Sequence, residues 1–525
     1  MPVEDSNPAV PEEDLRLLAR SLARVLTAVH RLAFDGTEDA LVARLRGHLG
    51  TDPAGLPVVS QELPPYQLVD VHVALDQWIH AEPGRSFEII GISGDQRRFH
   101  PLSELLSGAA RYGVGIGPVD YVDLADSPDS TRSCVRFGLY LLSDGTQKAA
   151  ALLRGADPHG PIQQAMIEVL AENRSHAHEI LSELRRLAVE QSVLRGQVLA
   201  LGPGEGNQYG MMRFVRRPGL QRGQLVLPDA TLAQIERHVI GIAAHRTRLQ
   251  AAGQHLKRGI LLYGPPGTGK THTIRYLLSQ LRGVTSFILS GQALMMIGPA
   301  LGQVCGLARL LQPSLVILED VDVIAPDRSF GPLGVNPILY EVLNQIDGLG
   351  DDVDVTFLLT TNRVDILERA LSERPGRVDA AVEIAPPDSD GRRALFRLYG
   401  SQVGVDGLSA EALEPAVSAT EGRTATYIRE VVRRATLAAA ETTTGPIRVD
   451  GDTLATAAAG LLDDRATLTR SLLGGVPEPD AEPPLAPSGP VPTAGRAMSV
   501  RSGWIGRPGP AAGDPPAPFG PEPEG

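Results

Sequence analysis

A chain of 525 residues is too long for one hydrophobic core and divides into two or three domains with linkers. Its 42 % apolar and 21 % charged residues are globular values, and its 4 % aromatic content makes the buried surfaces mainly aliphatic. The net charge of −13 argues against a general grip on nucleic acid, and Cys134 and Cys305, far apart in sequence, argue against a disulfide framework or zinc cluster.

The first residues are acidic and Pro-containing with no basic-then-apolar leader, and no run reaches the ~20 apolar residues of a spanning helix. A cytoplasmic protein without a membrane partner is expected. Leu15, Leu18, Leu22, Val25, Val29 and Leu32 recur at helical spacing and predict an amphipathic helix. Short apolar runs broken by Pro and Gly then suggest a mixed α/β unit, so residues 1–132 read as an N-terminal helical and mixed region. From Cys134 the pattern sharpens: Val135 to Leu142, the turn Ser143-Asp144-Gly145 and Ala149 to Leu153 predict a hairpin. A strand over Met166 to Leu170, a helix over His176 to Ala188 and a strand over Gln197 to Leu201 follow. Residues 133–225 are thus expected to form an α+β domain with its linker.

Ile260-Leu261-Leu262-Tyr263 runs into Gly264-Pro265-Pro266-Gly267-Thr268-Gly269-Lys270-Thr271, after which Ile274, Leu277, Leu278 and Leu281 have helical spacing. Strand, glycine loop and helix in that order are the context in which backbone N–H groups wrap a phosphate. Lys270 is expected to reach the β- and γ-phosphates of ATP, and Thr271 to place its hydroxyl on Mg²⁺. A second apolar strand, Leu315 to Leu318, ends in Glu319-Asp320, where a nucleotide-binding sheet holds its metal and polarises water. A third, Val355 to Leu359, leads to Thr360-Thr361-Asn362, whose amide can bond the water or the γ-phosphate. Arg374 and Arg377 follow on a predicted turn, where arginines are usually just solvated but can also donate to a neighbour's γ-phosphate.

With these motifs in order, the stretch from about Leu227 to Ala438 resembles the core clade of the AAA ATPases. The resemblance implies a P-loop parallel-sheet domain over residues 226–390 and a small helical lid over 391–473. Gly264 to Thr271, with His272 behind it, resembles Walker A; Leu315 to Asp320 resembles Walker B; Asn362 takes the sensor position; and Arg374 and Arg377 resemble arginine fingers. Ile240-Gly241 is similar to the segment along the adenine, Val342 to Leu349 to the inter-subunit signalling segment, and Met296-Ile297-Gly298 to the pore triplet. Three departures stand out: Glu precedes Asp in Glu319-Asp320, Met296 replaces the pore aromatic, and Thr424-Ala425-Thr426 replaces Ser-Gly-Ala in the lid.

The resemblance implies ATP and Mg²⁺ as cofactors, a homo-hexamer, and remodelling of a protein substrate or assembly partner chosen by the N-terminal region. A loader-type ATPase on nucleic acid lacks any Lys/Arg run or aromatic-basic stripe, and a nucleotide-gated scaffold with slow hydrolysis is the alternative raised by Glu319-Asp320. No HExxH motif occurs; His176-Ala177-His178-Glu179 has the wrong spacing. Fourteen of the 42 prolines fall in residues 474–525, which predicts a disordered Pro-rich tail. The fold class expected is α/β, an α+β N-terminal region preceding the ATPase sheet and lid.

Overall fold

A computed structural model describes residues 40–463 except 95–96, 108–113, 157–163, 203–211, 291–292, 294–300, 323–343, 345–347, 349, 351–352 and 364–377, together with 17–18, 20–22 and 24–25. The pore triplet Met296-Ile297-Gly298, the arginines Arg374 and Arg377, most of 342–349 and the tail 474–525 lie outside the described residues. Leu18, Leu22 and Val25, part of the first expected helix, are helical.

Seven strands of the N-terminal part form one antiparallel sheet: β1 (Val58–Leu63), β2 (Ser86–Ser93), β3 (Gly115–Gly117), β4 (Asp120–Ala125), β5 (Thr131–Ser143), β6 (Lys148–Arg154) and β7 (Ala165–Ala171). Their order is β1-β7-β6-β5-β2-β3, with β4 also paired to β5. The sheet is buried on both faces, so its central strands carry apolar residues at nearly every position. Leu139, Leu141, Ala150, Leu152 and Leu170 pack with Leu41 and Leu45 of α1 (Ala40–Leu49). Their alternates Tyr140, Leu142, Ala151, Leu153, Ile167 and Val169 pack with α2 (Gln67–Ala81) and α3 (Arg174–Glu190).

The expected hairpin is β5–β6, paired from Phe137↔Arg154 to Ser143↔Lys148. The boundary drawn between residues 132 and 133 runs through this sheet and is corrected here: β1 bonds β7 with Val58 opposite Leu170, and β2 bonds β5 with Ser86 opposite Ser143. Pairings across such sequence distances leave no trace in local composition.

The second sheet has the order β14-β10-β13-β12-β11-β8-β9. Its strands are β8 (Val198–Leu201), β9 (Met212–Val215), β10 (Arg258–Tyr263), β11 (Thr285–Ser290), β12 (Ser314–Glu319), β13 (Val355–Thr361) and β14 (Ala380–Glu383). All neighbours are parallel except β8 and β9. The strand expected over Gln197 to Leu201 therefore belongs to this sheet, not to the N-terminal one. Helix α4 (Lys270–Gln280) follows β10, and α5 (Leu301–Leu310) precedes β12. Four helices, α6 (Ser389–Tyr399), α7 (Ala410–Ala419), α8 (Ala425–Thr442) and α9 (Gly451–Asp463), share a separate core around Phe396, Tyr427 and Val431. Among the described residues no helix is long and apolar enough to cross a membrane.

Within the N-terminal part, Asp70 of α2 accepts bonds from Ser192 Oγ and Val193 N, both 2.8 Å, just beyond α3. Burial pushes its carboxyl up to about 7 against the pull of those two donors. An unfolded aspartate titrates near ~3.9, so between that pH and about 7 the folded chain holds a proton that the unfolded chain has released. The contribution is therefore complete at low pH and is lost as pH rises through the folded value. Asp70→Asn, which keeps the shape and loses the titration, should gain stability relative to the parent by on the order of 1 kcal/mol per pH unit across that window. Urea unfolding of both proteins at several pH values checks this; parallel profiles would contradict the buried charge.

Candidate active site

Three adjacent parallel strands deliver the chemistry to one edge of the second sheet. β10 ends in the glycine loop, β12 in Glu319-Asp320 and, between them in space, β13 in Thr361-Asn362. Loop geometry explains its glycines. Gly264 has φ +147°, and a Cβ there would lie 2.3 Å from the Ile384 carbonyl oxygen. Gly267 has φ +80°, and its Cβ would stand 2.8 Å from Thr426 Oγ1 and 3.0 Å from Thr424 Oγ1.

Lys270 opens α4 and is 6 % exposed, with Nζ donating to the carbonyls of Gly264 at 2.7 Å and Pro265 at 3.0 Å. Burial lowers its pKa, and Asp320 and Asp322 oppose that shift. Thr268 Oγ1 bonds Pro265 O at 2.9 Å, so the loop holds its own curve. Pro266 completes the turn in sequence, and Gly269 caps α4.

Glu319 ends β12 with its carboxyl pushed up by burial and pulled down by the Thr271 hydroxyl. Its Oε1 is buried and has no hydrogen-bond partner among the described residues. A hydroxyl beside a buried, under-bonded carboxylate oxygen is a hard oxygen donor set, which fits Mg²⁺. Asp320 has φ +52°, unusual for a residue with a side chain, and its N–H donates to Thr360 Oγ1 at 2.9 Å. Burial and Asp322 raise its pKa, while Lys270 lowers it.

Asp322, to which the sequence reading gave no role, is the hub of the next layer. Its Oδ1 accepts from Thr361 Oγ1 and Asn362 N, each at 3.0 Å, and its Oδ2 from Asn362 Nδ2 at 3.3 Å. The sensor-position amide is thus held by a carboxylate two residues past Asp320. The signal was present: Asp322 follows the acidic pair at the same strand end.

Ile240 and Gly241 lie elsewhere. They form part of a π-helical turn, Arg237–Gly241, whose Val239 is buried in the core and beside which Ile240 is half-buried. The cavity beside Thr268, about 250 Å³, is lined instead by Val226, Leu227, Pro228 and Asp229 on one side and by Gly391 and Ala425 of the lid on the other. Ile240 and Gly241 are not in its lining. A two-residue likeness is too short to separate the two segments. His272 Nε2 lies 2.9 Å from Gln224 O. The lid meets the loop directly: Thr426 N donates to Gly267 O at 3.2 Å, placing the Thr424-Ala425-Thr426 departure against the backbone of the glycine loop.

Residues 260–386 match the model of the ATPase family associated with various cellular activities (AAA). The chain is 34 % identical over 252 residues to the ATP-dependent zinc metalloprotease FtsH of Rhodococcus erythropolis, covering 45 % of this chain and 29 % of that protein. It is 30 % identical over 204 residues to the 26S protease regulatory subunit 6A of Caenorhabditis elegans, covering 37 % of this chain and 47 % of that protein. The chain thus spans less than half the length of these relatives.

Asp322→Ala removes the anchor of Asn362 without touching the glycine loop. ATP turnover should fall roughly 10- to 100-fold, the cost of a misplaced catalytic group, while ATP affinity stays within about threefold. Phosphate-release kinetics and a nucleotide titration test this, and an equal loss in both would contradict a positioning role.

Proposed function

Because the chain belongs to the AAA ATPases through residues 260–386, we propose that it hydrolyses Mg·ATP and uses the turnover, as a homo-hexameric ring, to remodel, unfold or disassemble protein substrates. The observation that carries the reading is the convergence of Lys270, Thr271, Glu319, Asp320 and Asn362 at the ends of β10, β12 and β13. In this reading Gly264 to Thr271 bind the phosphates, and Thr271 with Glu319 hold Mg²⁺. The metal, when bound, neutralises charge on the transferring phosphoryl group. Asp320 orients the attacking water as proton acceptor, Asn362 fixes the water or the γ-phosphate, and the cavity lined by residues 226–229 takes the base.

Arg374 and Arg377 are assigned to the neighbouring protomer's γ-phosphate, a contact that closed cyclic symmetry repeats around a ring. An apolar groove of about 1030 Å³ along α8 supports ring packing: Leu437 is 55 % exposed within it, beside Tyr399, Val432 and Ile447. The same groove includes His272 and Thr426, so a neighbour seated there would contact the segments that bear on the phosphate loop. The relatives' names, a metalloprotease and a protease regulatory subunit, favour a protein client.

Lys270→Ala should reduce ATP turnover to background, and Asp320→Asn should retain ATP and accumulate as a nucleotide-dependent ring with bound client. Sedimentation with and without ATP, phosphate release and affinity capture read these outcomes. Tight ATP binding by the parent chain without turnover would favour a nucleotide-gated scaffold, the reading that Glu319-Asp320 raises. A parent chain that stays monomeric at saturating ATP would defeat the ring.

If Met296 grips a threaded chain through its adaptable apolar thioether, Met296→Ala should spare basal turnover and slow client processing several-fold. Unchanged unfolding of a client captured by the Asp320→Asn ring would remove threading from the proposal.

A further inference from the structure

Aromatic residues make up 4 % of this chain, and among the described residues the exposed ones are Phe99 at 53 % and Tyr121 at 57 %. Both line one open pocket of about 620 Å³ on the N-terminal sheet, together with Arg97, Arg98, Arg136 and Asp120. Two large rings exposed at one spot, among three guanidinium groups, is the composition that sets binding hot spots apart from ordinary surface. The arrangement is also ordered before any partner arrives. Arg97 Nη2 and Arg98 Nη2 reach Asp120 Oδ2 at 3.1 and 3.3 Å, and their guanidinium carbons stand 5.9 and 6.0 Å from the Phe137 ring centre. Less side-chain entropy is therefore lost on binding.

Charge selects the partner. Among the described lining residues, Arg97, Arg98 and Arg136 accompany one carboxylate, Asp120, on a chain whose net charge is −13. Arginine forks match carboxylates bidentately, and the neighbouring rings offer stacking and apolar contact to a side chain beside the acid. A nucleic-acid strand suits the pocket less well, because three arginines at one spot, two of them sharing Asp120, make a compact contact for an anion and not the extended basic stripe that a phosphate backbone follows.

We propose that this pocket, lined by Arg97, Arg98, Phe99, Asp120, Tyr121 and Arg136, docks an acidic peptide segment of the client that carries an aromatic or large apolar side chain. The inference rests on the reading of the N-terminal region as the client selector. Acidic, partly apolar segments exposed on client proteins are the chemistry recognised, and the pocket names the residues that recognise it.

The test uses the full chain and a fluorescein-labelled peptide of repeating Glu-Glu-Phe units, read by anisotropy without nucleotide. Saturable binding that weakens with salt is expected, with Arg97→Ala and Tyr121→Ala each lowering affinity roughly tenfold or more, the scale of an interface hot spot. Phe99→Ala provides a second exposed position should either variant disturb the fold, as checked by circular dichroism. Basal ATP turnover should stay within about twofold of the parent in Tyr121→Ala, since ordinary surface changes leave the fold nearly untouched. Absence of saturable binding, binding unaffected by these substitutions, or tighter binding of an oligothymidylate than of the peptide would each overturn the proposal. Lost peptide binding with intact turnover counts against this pocket alone, whereas intact binding without turnover counts against the ATPase reading.

Discussion

The catalytic edge depends on how β12 is tied to β13 where the two strands stop. Asp320 N donates to Thr360 Oγ1 and Val321 N to Thr360 O, both at 2.9 Å, so one threonine accepts from two consecutive amides. That clamp holds Asp320 at φ +52°, a conformation that costs ~1 to 3 kcal/mol for a residue with a side chain. Two hydrogen bonds contribute ~1 kcal/mol each, which roughly offsets the strain. Glu319 is left beside Thr271 and Asp320 beside Lys270, each carboxyl pushed up by its burial. Buried in this way the groups act on charge more strongly than they would in water, and the fixed backbone spares them reorganisation during a reaction.

The same edge is joined to the N-terminal part through backbone. β8 extends the ATPase sheet by pairing β11 in parallel, Val198 opposite Ser286. Arg217, just past β9, gathers four carbonyls: Leu278 and Leu281 at the end of α4, Gly196 before β8 and Val284 before β11. Arg195 reaches Leu310 O and Gln312 O where α5 turns into β12. A guanidinium at a helix C-terminus satisfies orphan carbonyls and complements the dipole. Here two of them tie the helix that begins at Lys270 and the strand that ends at Glu319 to the connection from the N-terminal sheet. Displacement of that connection acts on both.

What the sequence disclosed follows the range of the forces involved. The hairpin of β5 and β6 was legible because its strands and its Ser143-Asp144-Gly145 turn are local, and the glycine loop because strand, loop and helix follow one another. The N-terminal sheet was legible only in pieces, since β1 and β7 meet with more than a hundred residues between them. Its false boundary at 132/133 came from a change in pattern clarity where β5 begins at Thr131, not from a change of domain. Asp322 escaped because its role lies in bonds to Thr361 and Asn362 on another strand. Ile240 and Gly241 were drawn to the nucleotide by likeness alone, and they lie on a turn whose Val239 packs in the core with α4.

The lid departure acquires a physical meaning once the contacts are known. Thr424 and Thr426 stand where a smaller pair would leave room, and Gly267 fits beneath them only because it has no Cβ. Thr426 N and Oγ1 both donate to Gly267 O, at 3.2 and 3.3 Å, so the first turn of α8 is bonded to the glycine loop. The cavity beside Thr268 has walls from both bodies, residues 226–229 from the large one and Gly391 and Ala425 from the lid. Under the proposed ATP binding, a base in this cavity meets both walls while its phosphates sit in the loop that Thr426 bonds, so the nucleotide bears on the lid at two points rather than one. Leu437 lies farther along the same α8, in the apolar groove, so in the proposed ring a change of angle at Thr426 is carried by one continuous helix to the face offered to the next protomer.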